Sequence, residues 1–227
     1  AARGAAARLA TVLSGRHPTM AQYIRIHPDN PQQRLLHMAA EVVRRGGVIA
    51  LPTDSSYALG CHLGDKAAVE RIRSLRGVDE RHHLTLMCRD LSQIGQFARV
   101  DNARYRLLKA TTPGSYTFIL EGTRELPRRV LHPKRKTIGL RVPAHTVTLA
   151  LLEELGEPLL TSTLIIAGDE DPLTEGWEIQ DRLETQIDLI LDAGRCGVEP
   201  TTVVDLTAAL PLLIRAGRGA LAPFGLD

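Results

Sequence analysis

Short apolar runs bounded by turn residues alternate along this chain with segments whose apolar residues recur every three or four positions. That alternation predicts an α/β fold, because strands and amphipathic helices bury their apolar faces together when helices pack on a sheet. Tyr23–Ile26 reads as a strand. Asn30-Pro31 then reads as a helix start, with Asn30 as N-cap and Pro31 at the first helical position, where a missing N–H costs nothing. Leu35, Leu36, Ala39, Val42 and Val43 form that helix's core face, and Gly46-Gly47 ends it. Val48–Leu51 reads as a buried strand stopped by Pro52. A second helix is expected over Ala67–Arg76, with Val69, Ile72 and Leu75 inward. Further strands are expected at Leu84–Met87, Tyr116–Leu120, Ile138–Val142, Leu159–Ile166, Ile187–Leu191, Thr202–Leu206 and Leu212–Ile214. Helical stretches are expected near Asn102–Ala110, Glu125–Leu131 and His145–Glu154. Gly168–Gly176 reads as an acidic, proline-containing loop.

At 227 residues the chain suits one domain with a sizeable core. No apolar run approaches the roughly 18 residues that would span a bilayer. The net charge of +2 exerts no strong pull on nucleic acid, so only a local cluster can carry such a claim. Of the 28 basic residues 24 are Arg, a bias that composition alone accounts for. Cys61, Cys88 and Cys196 are far apart and show no zinc spacing, which fits reduced thiols in a cytoplasmic protein. The histidines lack ligand spacing, and His82-His83 reads as a loop pair. Residues 1–19 hold Arg and small side chains without an acidic residue, and are expected to form a disordered N-terminal extension before a domain spanning 20–227.

There is neither a Walker loop nor a GxGxxG after a strand. The most informative segment is Leu51-Pro52-Thr53-Asp54-Ser55-Ser56-Tyr57-Ala58-Leu59-Gly60. A buried strand there delivers hydroxyls and a carboxylate at its carboxyl end, where open α/β sheets bind ligands. The same residue types serve equally as a capped turn, and chemistry alone leaves the two readings about even.

That segment resembles the PTDTxYGL hallmark of the YrdC-like family. In order along the chain, Thr112–Leu120 is similar to its PGPLT-strand element, Ile138–Pro143 to its xRxP strand end, Pro200–Leu206 to its PSTVVDL, and Arg215 with Gly217 to its final RxG. The opening YIRIHPDNPQQRLL and Thr85–Ser92 look most like the YciO branch. The resemblance implies a single twisted mixed-sheet α/β domain with flanking helices and a basic concave face. Its best-known members make threonylcarbamoyl-adenylate from threonine, bicarbonate and ATP, toward a modified tRNA. ATP is thus expected as a substrate beside a small amino acid, with magnesium accompanying ATP, and neither a tightly bound cofactor nor a protein metal site is expected. By position, Thr53, Ser55, Arg76, Thr117, Arg141, Thr163, Thr201 and Arg215 are the candidate nucleotide- and substrate-binding residues. Arg141 and Arg215 also fit solvated or Asp205-paired cations, and no catalytic residue is assigned.

Two departures bear on activity. The KxR signature of the synthases reads Arg76-Gly77-Val78 here, and the SxN signature reads Thr163-Leu164-Ile165. Each lost contact to a charged phosphate corresponds to about 1.5–3 kcal/mol, so weak or altered activity is expected. Arg128, Arg129, Lys134, Arg135 and Lys136 place five cations in nine residues. They form either a solvated loop or a strip countering the phosphates of double-stranded RNA or tRNA. Two functions follow: an adenylate-handling enzyme, either nucleotidyltransferase or hydrolase, and a non-catalytic RNA-binding module.

Overall fold

The computed structural model describes residues 20–226, and the extension expected over residues 1–19 lies outside the described residues. In chain order the elements begin β1 (Gln22–Arg25), α1 (Gln33–Arg44), β2 (Ile49–Leu51), β3 (Ala58–His62), α2 (Lys66–Arg76) and β4 (Thr85–Met87). Next come α3 (Leu91–Phe97), α4 (Asn102–Thr111), β5 (Tyr116–Glu121), β6 (Thr137–Arg141), α5 (Thr146–Leu155) and β7 (Leu159–Thr163). The chain closes with α6 (Gly176–Leu183), β8 (Leu189–Asp192), β9 (Thr202–Asp205) and β10 (Leu212–Arg215). The strands form one mixed sheet in the order β1-β8-β2-β3-β7-β4-β6-β5-β9-β10. Among the described residues no helix is long and apolar enough to cross a membrane.

Alternation along each strand gives the sheet two different faces. Leu59, Leu86, Phe118, Leu140, Leu160 and Val204 are buried on one face, under Val69 and Ile72 of α2, Ile94 of α3, Leu108 of α4 and Ile179 of α6. On the opposite face α1 and α5 pack side by side and cover Ile49, Leu51, Leu159, Leu189 and Leu191. They cover only the β1–β7 end. Beyond them the same face continues across β4, β6, β5 and β9 as Thr85, Met87, Gly139, Arg141, Thr117, Ile119 and Val203, held in line by the pairings Thr85↔Gly139, Ile119↔Gly139 and Thr117↔Val203. Among the described residues, half of one sheet face is thus left without a helix, and it mixes threonines, Gly139 and Arg141 with the apolar Met87, Ile119 and Val203.

The expected fold class holds, with local corrections. α1 starts at Gln33 with Gln32 in the cap position, not at Asn30-Pro31. The ring nitrogen of His27 accepts from the backbone N–H groups of Asp29 and Asn30 at 3.2 and 3.1 Å, which closes a turn and delays the helix. The helix expected over Glu125–Leu131 is a single 3₁₀ turn at Arg128–Val130, since Pro127 leaves too short a segment before Leu131 returns to the core. The strand expected over Leu159–Ile166 ends at Thr163, and that expected over Ile187–Leu191 starts at Leu189. β3, α3 and α6 were not expected. β3 lies within the segment read as a ligand-bearing turn. α2 runs from an Asp65 cap, whose carboxylate accepts from the Ala68 N–H at 2.9 Å, to Gly77. Gly77 has φ +63°, and a Cβ there would sit 2.8 Å from that of Ala167, so a left-handed conformation and close packing both demand glycine.

Leu86 lies fully buried in the middle of the sheet. Replacing it by alanine should destabilise the domain by about 2–5 kcal/mol, read as a lower urea midpoint with an unchanged slope.

Candidate functional site

The uncovered half of the sheet face is the floor of a cavity of about 350 Å³. Thr85 and Met87, Thr117 and Ile119, Gly139 and Arg141, and Thr161 and Thr163 project into it as i, i+2 pairs. Its walls are the loop after β2, the end of α2, the loop around His82 and His83, the acidic loop before α6, and the approach to β9. All eight residues expected at a nucleotide or substrate site line this one cavity: Thr53, Ser55, Arg76, Thr117, Arg141, Thr163, Thr201 and Arg215.

Their roles differ. Arg76, the last residue of α2, donates from Nε to Ser162 Oγ at 3.0 Å and from Nη1 to the Ile165 carbonyl at 2.9 Å. Arg215, at the end of β10, donates to the Thr201 carbonyl at 3.0 and 3.3 Å and reaches its hydroxyl at 3.4 Å. Among the described residues no carboxylate lies within ion-pair distance of either guanidinium. Burial pushes the pKa of both below the usual arginine value. A guanidinium nevertheless stays protonated, so each is a desolvated cation whose remaining cost an incoming anion would offset.

Arg141 is different. It is buried, its Nη2 is paired with Asp54, and Nη1 lies 3.4 Å from Ser55 Oγ. Desolvation lowers its pKa, opposed by the Asp54 charge. Neither Arg141 nor Arg215 pairs with Asp205, whose carboxylate instead accepts from the Thr207 N–H and hydroxyl at 2.8 and 2.6 Å. Asp54 also accepts from Ser115 Oγ at 2.6 Å, so one carboxylate ties the loop after β2 and the approach to β5 to the end of β6. The Thr53 hydroxyl is spent inside its own turn: it donates to the Ser56 carbonyl at 2.7 Å and accepts from the Ser55 and Ser56 N–H groups at 3.2 Å. Thr53 therefore shapes the loop. Thr117 and Thr201 share a hydrogen bond at 2.9 Å beside Arg215. The hydroxyls of Thr163, Thr85 and Ser56 face the cavity with no hydrogen-bond partner among the described residues.

Sequence reading missed Ser56, His82, His83, Thr85, Thr161, Ser162, Glu170 and Asp171 on the cavity wall. The threonines had a signal: each alternates with a core residue in its strand, as Thr117 does. The histidines had none, since a loop's fold-back is not periodic.

The five cations expected to bind RNA lie outside the cavity, and all are exposed. Arg129 donates to the Gly64 carbonyl and Lys136 to that of Pro133 at 2.7 Å, and neither charge has a counter-ion among the described residues. His132 of the same segment stacks on His83 with ring centroids 5.0 Å apart, so the strip abuts the cavity wall.

Because Asp54 is the carboxylate paired with a buried guanidinium, Asp54→Asn should destabilise the domain by roughly 3–5 kcal/mol. A double variant Asp54→Asn, Arg141→Met should recover much of that loss, measured as unfolding midpoints of both variants.

A family model described as telomere recombination, covering the Sua5, YciO and YrdC domain, matches residues 41–217. YciO of Escherichia coli K12 is 55% identical over 205 residues, which are 90% of this chain and all of that protein. Its crystal structure superposes with a TM-score of 0.87. A threonylcarbamoyl-AMP synthase of Chromobacterium violaceum is 31% identical over 79% of this chain and 92% of its own length. The crystal structure of Pyrococcus abyssi Sua5 with L-threonine matches 88% of this chain and 58% of that longer one, with 27% identity and a TM-score of 0.79. With the hydroxyl- and guanidinium-bearing strand ends gathered in one cavity, and relatives matching along most of its length, the chain belongs to the Sua5/YciO/YrdC family.

Proposed function

We propose that the cavity binds a nucleotide-derived anion together with a small amino acid, and that the protein is a cytoplasmic adenylate-handling enzyme with weak or altered threonylcarbamoyl-AMP synthase activity. One observation carries this reading: Arg76 from α2 and Arg215 from β10 reach the same cavity, and neither has a carboxylate partner among the described residues. A cation desolvated beside open space is stabilised by an anionic ligand, and a guanidinium fork matches phosphate oxygens. The Sua5 structure with L-threonine supports the amino-acid part.

In the proposed reaction an oxygen of threonine's carbamate attacks the α-phosphorus of ATP. The bond from that phosphorus to the β-phosphate bridging oxygen breaks, and pyrophosphate leaves with the electron pair. The residues that line the cavity suit positioning and charge neutralisation. Arg76 and Arg215 would counter phosphate charge, while Thr163, Ser56 and Thr85 offer uncommitted hydroxyls. Among the described residues no group of three His, Cys, Asp or Glu side chains could hold a metal ion. Magnesium would therefore enter coordinated to ATP. Ile165 presents an apolar side chain to the cavity where synthases carry an amide, and Val78 stands outside its lining. Both departures remove polar contacts and favour reduced synthase turnover.

Arg76→Ala and Arg215→Ala should each weaken ATP or adenylate binding by about 10- to 100-fold, the equivalent of one charged hydrogen bond, in titration calorimetry. Incubation with ATP, bicarbonate and threonine should release pyrophosphate slowly. A variant carrying Val78→Arg and Ile165→Asn should release it faster. Neither formation nor consumption of adenylate by the wild-type protein would overturn the enzymatic reading.

A second reading, a double-stranded RNA- or tRNA-binding module, is favoured by the exposed strip Arg128, Arg129, Lys134, Arg135 and Lys136 joined to the cavity wall through the His132–His83 stack. Under it, RNA affinity should fall linearly with salt on logarithmic axes. Neutralising Arg128, Arg129, Arg135 and Lys136 should flatten that slope, and an unchanged slope counts against it.

A further inference from the structure

His82 lies on the cavity wall between Arg76-Gly77-Val78 and the Thr85–Ser92 segment. It follows the end of α2, held by a turn in which its N–H donates to the Asp79 carbonyl at 3.2 Å. Its side chain lines the cavity and makes no hydrogen bond among the described residues. The charges of both Arg76 and Arg215 act on it, so the imidazole stands within the field of the two unpaired guanidiniums. We infer that His82 is a third anion-binding side chain of this cavity, closing on a phosphate or carboxylate group held by Arg76 and Arg215.

The inference rests on the anion-binding part of the proposed function and names a further residue of the same site. Without a ligand, the pKa of His82 lies below the ordinary histidine value. Desolvation by the cavity walls is the largest cause, followed by Arg76, with Arg73 and Arg215 acting in the same sense and Asp79 opposing them. The other charged or titratable groups facing the cavity are His83, Glu170, Asp171 and the Asp54-paired Arg141. An anion between the guanidiniums reverses the local field and favours imidazolium, which then donates to it. A site of this kind adds a positive charge only when an anion is present, and avoids holding three bare cations together when empty.

The sign follows from linkage. His82 has a pKa below the ordinary histidine value in the free protein, and a bound anion raises it. Binding therefore takes up a proton. Affinity rises as pH falls through the pKa of the complex, and levels off below that of the free protein. The rise is at most about tenfold per pH unit for one coupled proton.

Sulfate is the probe, because it keeps its charge across the range in which histidine titrates. Calorimetric titration of the full chain between pH 5 and 8.5, in buffers of different ionisation enthalpy, reports both affinity and proton uptake. The wild-type protein should bind sulfate more tightly as pH falls and take up part of a proton at neutral pH. His82→Gln should lose that proton uptake and its share of the pH dependence, whereas His83→Gln should keep both. His82→Asn provides a second variant with a shorter side chain. Proton uptake unchanged in both His82 variants, or lost only with His83→Gln, overturns the inference. Sulfate binding that depends on His82, in a protein that neither makes nor consumes adenylate, would leave the inference standing and remove the enzymatic reading.

Discussion

The buried pair between Asp54 and Arg141 is the interaction on which the site depends. A guanidinium largely withdrawn from water is tolerated only with a counter-charge and hydrogen bonds. Here one carboxylate supplies the charge and also accepts from Ser115. Three loops distant in sequence are thereby held at the edge of one sheet face: the loop after β2, the approach to β5 and the end of β6. The pair neutralises Arg141, so the charge left open to a ligand comes from Arg76 and Arg215. A cavity with every cation paired would bind anions poorly. One with every cation bare would be costly to fold.

The cavity itself follows from incomplete coverage. α1 and α5 are the helices on their face, and together they span the strands from β1 to β7. The remaining strands keep Leu86, Phe118, Leu140 and Val204 on the face under α2, α3, α4 and α6, and put threonines, Gly139 and Arg141, beside Met87, Ile119 and Val203, on the other. A threonine in such a strand keeps its β-branched fit to the pleated backbone while offering a hydroxyl to solvent. Stability and binding are thus written in alternate residues of the same strands.

The family likeness and the departures from it describe one site. Ile165 replaces an amide, yet its carbonyl anchors Arg76, so the guanidinium keeps its place although the neighbouring ligand contact is gone. Thr53 belongs to the family's hallmark segment, and its hydroxyl is spent organising the turn that carries Ser55 and Ser56. Arg76 and Arg215 keep their partners among hydroxyls and carbonyls, which fix a guanidinium without cancelling its charge.

The α/β class, most strands, and α1, α2, α4 and α5 were legible in the chain, because apolar periodicity reports which face of an element is buried. The eight expected site residues could be named from short motifs, since each sits at a strand or helix end. β3 was hidden: its residues Ala58–His62 are nearly all buried and so do not alternate. α3 and α6 are short, and their patterns merge with the flanking loops. What the residues alone determined is most of the strands and the side chains offered at their ends. Which of those charges are cancelled and which stay open was decided only in three dimensions. Asp54 meets Arg141 across 87 residues, and His82 falls within the field of Arg76 and Arg215, because a crossed sheet order brings distant strand ends together. Pairing between charges depends on that distance in space, and sequence separation does not encode it.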